Sequence, residues 1–168
     1  MGQKEVLFLE IEAATPALRR YARALCVGAG AAAADDLVQS AIERVAEKIR
    51  TKTLRAGEGA AARFCAYRTL TELVRESSAG AAEPRLSARQ PVIAHGLAGL
   101  PFEERACLLL VALEGFSYDA AATIAGAPRE AIVARLMRAR ATLSTLDLRP
   151  QAPLDGARRA SGHLRLVK

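Results

Sequence analysis

The chain has 168 residues, room for one large domain or two small ones, and it is 51% apolar but only 4% aromatic, with no Trp. Much of the apolar fraction is alanine, the best helix former, which points to an all-α protein built by close helix packing. No run approaches the roughly 20 apolar residues of a membrane span. Cys26, Cys65 and Cys107, odd in number and far from His95 and His163, argue against a disulfide framework or a zinc site and for buried thiols in a cytoplasmic protein. The net charge of +6 is concentrated at one end, where residues 129–168 hold nine basic and three acidic side chains. A basic end on an otherwise balanced chain favours a polyanionic partner such as nucleic acid over a plain solvated tail.

In chain order, "KEVLFLEIEAA" predicts a first helix, and Thr15-Pro16 predicts a restart, with a capping residue before a proline at the first helical position. "ALRRYARALCV" then places Leu18, Tyr21, Ala22 and Leu25 on one face. "GAGAAAA" ends that helix, and Asp35 and Asp36 offer an acidic cap to "LVQSAIERVAEKI", where Leu37, Ala41, Ile42, Val45 and Ile49 recur at helical spacing. After the polar loop "RTKTLRAGEG", "AAARFCAYRTLTELVRE" predicts another helix with Phe64, Tyr67, Leu70 and Val74 as its apolar stripe.

Residues 77–99 contain two prolines and three glycines among small polar side chains and read as a linker. The expected layout is therefore a helical domain over 1–76, a linker over 77–99, a second helical domain over 100–146 and a loose basic tail over 147–168. In the second domain, "PFEERACLLLVALE" begins with proline and two glutamates, as a helix start favours. Ser117 caps a short helix "YDAAATIA", Gly126 supplies a tight turn, and Pro128 starts a longer helix. That is the order of a helix-turn-helix. On the longer helix Ile132, Leu136, Ala139 and Leu143 form the inward stripe, and Arg135, Arg138 and Arg140 flank or oppose it. Glu130, Ala131 and Ala134 take the early outward positions, where direct base readout needs Arg, Lys, Asn or Gln. The helix is better equipped for phosphates than for bases.

Three segments together carry a family resemblance: "ALRRYARAL…ADDLVQSAIERV", "FCAYRTLTELV" and "LAGLPFEERACLLLVALEGFSYDAAATIAGAP…RLMRAR". In this order, with a linker between, the chain resembles the extracytoplasmic-function class of bacterial RNA polymerase sigma factors, and within it the general-stress type of the alphaproteobacteria. The resemblance implies two helical domains, regions 2 and 4. Asp36, Gln39 and Arg44, in and after the Asp36-Leu37-Val38-Gln39 match, would contact the β′ clamp helices of core polymerase. Phe64–Glu76 corresponds to the part that melts the −10 element, with Arg63, Tyr67, Arg68 and Arg75 as its DNA contacts. Ser117–Arg140 corresponds to the −35 reader, with Arg129, Arg135, Arg138 and Arg140 as its contacts. The implied partners are core RNA polymerase (its β and β′ subunits), promoter DNA and an anti-sigma factor. No cofactor is implied.

The departures from the family pattern fall on DNA-facing positions. Where Trp-Leu-Tyr-Arg followed by Arg-Asn is usual, this chain has Cys65-Ala66-Tyr67-Arg68 and then Thr71-Glu72. Where Thr-Val-Lys-Ser-Arg-Leu is usual, it has Ala131-Ile132-Val133-Ala134-Arg135-Leu136. Stacking and phosphate neutralisation supply much of nucleic-acid affinity, so these losses predict weaker melting. Two readings follow: a working sigma factor with divergent promoter preference, or a sigma-like decoy that binds an anti-sigma factor or polymerase without directing transcription. An enzyme is not expected, because no paired carboxylates, nucleophile–His pair, phosphate loop or metal cluster is visible.

Overall fold

In the computed structural model, residues 2–54, 61–78, 86 and 90–145 are described, and these form seven α-helices and one π-helical turn without a strand. The tail expected over 147–168 and much of the linker expected over 77–99 lie outside the described residues. Helix α1 (Gln3–Leu25) runs unbroken through Pro16, where the sequence predicts a restart. An interior proline costs roughly 3 kcal/mol. Fully burying one large aliphatic side chain returns about 1.5–3 kcal/mol. The stripe Leu7, Ile11, Ala14, Leu18, Tyr21 and Leu25 is buried on both sides of the proline, so burial outweighs the kink. Thr15 turns its hydroxyl back onto the Ile11 carbonyl at 2.9 Å, a bond that favours a bend in the helix at this point.

Helix α2 (Ala31–Arg50) starts four residues before Asp35, with Gly30 as its N-cap, so the acidic pair lies inside the helix rather than capping it. The alanines ahead of the pair have the highest helix propensity, and Ala34 is buried against the bundle. Asp35 instead accepts from Arg23 of α1 at 2.7 Å, and that guanidinium holds its carboxyl below the usual carboxylate value. Helix α3 (Ala61–Ser78) buries Ala62, Ala66, Tyr67, Leu70, Leu73 and Val74, too wide a band for one neighbour. It packs on α1 and α2 with one side and on the second domain with the other.

The second domain begins earlier than the sequence suggests. Helix α4 (Val92–Ala98) lies within the stretch read as linker, with Pro91 as its N-cap. It is seven residues long and leaves Ile93 exposed, so no apolar stripe announces it. What holds it is tertiary: Arg105, on helix α5 (Phe102–Leu108), donates to the Leu97 carbonyl at 3.1 Å. Burial pulls that guanidinium below its ordinary pKa. Helix α5 widens into the π-helical turn Leu109–Leu113, after which the Glu114 N–H donates to the Leu109 carbonyl and the Phe116 N–H to that of Leu110. Gly115, at φ +70, makes the sharp step between them.

The helix-turn-helix is present as predicted. Ser117 caps α6 (Tyr118–Ala125) by accepting from the Ala120 N–H, Gly126 ends it in the left-handed conformation, and α7 (Arg129–Ser144) follows Pro128. Ile132, Leu136 and Ala139 are buried and Leu143 is partly so. One continuous apolar cluster runs from Leu7 and Leu18 through Tyr67 and Phe116 to Ile132 and Leu136, joining the two domains.

Candidate functional site

The α2 surface is built by the helix period. Ala34, Val38, Ala41, Val45 and Ile49 face the bundle, which turns Asp36, Gln39 and Arg44 to solvent. Gln39 donates to Glu43 one turn on at 2.8 Å. All three residues expected to meet polymerase are therefore on the exposed part of one rigid helix.

The four residues expected to meet −10 DNA lie along α3, where the second domain packs. Tyr67 is 0% exposed and set edge-on between Tyr21 and Phe116, with centroids at 5.3 and 4.9 Å. Its hydroxyl donates to a Glu114 carboxylate oxygen at 2.6 Å. Burial first, and that bond second, push the phenol above its ordinary pKa. Arg63 lays its guanidinium over the Phe116 ring at 4.5 Å. Arg75 donates to Glu103 at 2.9 Å and covers the Phe102 ring. Arg68 is half exposed, 3.8 Å from Glu72, and its terminal nitrogen approaches Gly126 of the turn.

The expected −35 residues divide in the same way. Arg138 pairs with Glu104 at 2.7 Å. Arg135 is 3.3 Å from Glu103, whose other oxygen holds Arg75. Arg129 lies 3.5 Å from Asp119. Arg140 is exposed on α7 and forms no ion pair among the described residues. Between the arginines the outward face of α7 is apolar: Met137 is 64% and Val133 39% exposed, next to exposed Ala134.

Three residues that sequence reasoning did not single out organise this arrangement. Glu114 has a side chain only 1% exposed and accepts from Nε and Nη2 of Arg20, at 3.1 and 3.0 Å, as well as from Tyr67. Glu103 bridges an arginine of each domain, and Phe116 fills the aromatic contact with Phe64 and Tyr67. Their partners are 47 and 94 residues away for Glu114 and 28 for Glu103, so no local pattern marks them. A groove of about 490 Å³ at the same junction is lined by Lys48, Leu54, Phe64, Cys65, Arg68 and Thr123. The thiols of Cys26 and Cys107 are raised above their usual values by burial. Among the described residues no helix is long and apolar enough to cross a membrane.

The comparisons with known proteins divide the chain where the structure does. Residues 11–71 match the Sigma2 domain of PhyR, and residues 92–143 match sigma-70, region 4. No curated protein matches the sequence. Among solved structures, the sigma factor RpoE in complex with the anti-sigma factor NepR from Bartonella quintana is 23% identical, with a TM-score of 0.66 over 81% of this chain and 92% of that one. The PhyRSL–NepR complex from Sphingomonas sp. Fr1 is 22% identical, with a TM-score of 0.64 over 94% and 99% of the two chains. The anti-anti-sigma factor PhyR complexed with the anti-sigma factor NepR from Bartonella quintana is 22% identical, with a TM-score of 0.57 over 80% of this chain and 48% of that one. At these identities the structures establish a shared fold alone. The chain thus joins a match to the Sigma2 domain of PhyR with a match to sigma-70, region 4, in a two-domain fold similar to that of RpoE and PhyRSL.

Proposed function

We propose that the chain is a sigma factor that binds core RNA polymerase through α2, directs initiation at stress promoters through regions 2 and 4, and is held in check by an anti-sigma factor. The observation that carries the reading is that a match to the Sigma2 domain of PhyR and a match to sigma-70, region 4, occur in one chain. Asp36, Gln39 and Arg44 stand exposed on α2 beside them, available to polymerase. The anti-sigma partner is proposed because RpoE and PhyRSL, which share the fold, are each seen bound to NepR. Arg68, Arg129, Arg138 and Arg140 are the exposed cations of the expected set and would meet promoter phosphates first. A decoy that binds the anti-sigma factor without directing transcription is the second reading. It is favoured by the PhyR-type match of region 2 and by the apolar outward face of α7.

Transcription reconstituted with core polymerase on genomic fragments separates the two. Promoter-specific transcripts that disappear when a NepR-type anti-sigma factor is added are expected. Co-migration with polymerase and no specific transcript would replace the first reading by the second. The double substitution Asp36→Ala, Gln39→Ala should abolish co-migration with polymerase while leaving the helical circular-dichroism signal intact.

A further inference from the structure

Cys65 differs from the other two cysteines in where its sulfur lies. Burial raises the Cys26 and Cys107 thiols, and Cys107 is wholly enclosed. Cys65 is half-buried on α3 and lines the groove of about 490 Å³. The helix period puts it there: Ala62, Ala66 and Leu70 take the inward positions, which leaves Ala61, Cys65 and Arg68 along the groove. The charge in this groove has one sign. Lys48, on α2, donates from its ammonium to the Cys65 sulfur at 3.8 Å and forms no ion pair among the described residues. Arg68, one turn beyond Cys65, is half exposed, and the carboxylate nearest to it, that of Glu72, is 3.8 Å away. No acidic side chain is among the described residues that line the groove, and Leu54 and Phe64 give it apolar wall. Its volume is in the range that holds small molecules. Thiols that react sit in electropositive, partly exposed surroundings of this kind. A ligand that matches the groove brings carboxylates for the two cations and an electrophile for the sulfur.

We propose that Cys65, with Lys48 and Arg68, forms a thiol-modification site that takes an anionic low-molecular-weight disulfide of the glutathione class. The Cys65 thiol gives its proton to solvent, and its sulfur attacks one sulfur of the bound disulfide. The S–S bond of the ligand breaks as the new one forms, and the second half leaves as a thiolate with the electron pair and takes up a proton. One thiol and one disulfide become one mixed disulfide and one released thiol, so the ligand itself is the oxidant. Lys48 and Arg68 hold the carboxylates that flank the ligand's sulfur, and a dithiol reductant reverses the step. This chemistry does not depend on the role of the chain in transcription.

The test incubates the full, reduced chain with glutathione disulfide and follows intact mass and peptide maps with time. Wild type should gain one glutathionyl group at Cys65, about tenfold faster than at Cys26 or Cys107, and lose it on treatment with a dithiol. Cys65→Ser should not take up this fast group. Lys48→Gln and Arg68→Gln keep the thiol and remove one cation each. Each should slow the reaction about fivefold, and should slow the reaction with neutral bis(hydroxyethyl) disulfide clearly less. Both side chains are exposed, so these variants are expected to fold, and circular dichroism checks all three. Modification at Cys26 or Cys107 as fast as at Cys65 overturns the site. Wild-type rates in both Lys48→Gln and Arg68→Gln overturn it as well. Equal slowing with the charged and the neutral reagent overturns the anionic ligand, because the cations would then not be recognising carboxylates.

Discussion

At Gly126 the backbone takes φ +61, and a Cβ built there would sit 3.0 Å from a terminal nitrogen of Arg68. The first feature costs about 1 kcal/mol for any residue with a Cβ, while the second is cheap because an exposed, flexible arginine can step aside. Gly126→Ala is therefore expected to lower stability in urea by about 1 kcal/mol, and a loss above about 3 kcal/mol would mean that Arg68 is fixed where it meets the turn. The buried phenols make a separate prediction. Tyr21 shares a 2.9 Å hydrogen bond with Thr71, and burial raises it, like Tyr67, well above the ordinary tyrosine value. With the folded value above the unfolded one, the proton is held more tightly in the native state. Stability is then fully present below an unfolded pKa of about 10 and falls as pH rises from there toward the folded value. The slope is at most about 1.4 kcal/mol per pH unit for each phenol. Urea unfolding across that range should show this decline. Tyr21→Phe should make it shallower, and an equal slope in the variant would count against burial of Tyr21 as its source.

Helix α7 shows how one element can hold arginines of two kinds. Arg135 and Arg138 already face Glu103 and Glu104, so meeting a phosphate requires exchanging one anion for another. Arg140 has no such partner among the described residues, so its pairing with a phosphate would release a DNA counterion without first breaking an ion pair. Removing Arg140 should reduce the slope of log affinity for DNA against log salt by about one, whereas Arg135→Ala should change it by clearly less. Equal changes for both would mean that the ion pairs do not persist in solution. The helix-turn-helix itself was legible because each of its signals is local: Ser117 as cap, Gly126 as turn, Pro128 as start, Ile132 and Leu136 as inward stripe. Helix α4 was not, because a seven-residue helix beside Gly96 and Gly99 is held by Arg105 from the next element. The same explanation covers Pro16, a reliable stop signal that a stripe buried on both sides overrides. The positions expected on polymerase and DNA could be placed on helices from the sequence. That Tyr67, Arg63 and Arg75 face region 4 could not, since their acidic and aromatic partners are distant in the chain.

Across the whole molecule, the two regions differ in how well they could stand alone. Region 2 rests on helices of 23, 20 and 18 residues that pack on one another. Region 4 is made of helices of 7, 7, 8 and 16 residues, and three of these are far below the length at which a helix is stable without tertiary support. Part of that support comes from region 2, through the apolar cluster that includes Phe116, only 7% exposed and edge-on to both Phe64 and Tyr67. A shared core couples the unfolding of its two sides, so wild type is expected to melt in one calorimetric transition with equal calorimetric and van't Hoff enthalpies. Phe116→Ala removes a buried ring worth roughly 3–5 kcal/mol, a loss that falls on the junction. The expected result is two transitions, the earlier one belonging to region 4 because its short helices lose their outside support. The assignment can be checked by adding Ile132→Ala, on α7, to the Phe116→Ala variant, which should lower only the earlier transition. A Phe116→Ala variant that still melts in one step, merely at lower temperature, would show that region 4 is held to region 2 by more than the aromatic contact, with the Glu114 and Glu103 bridges as the remaining candidates.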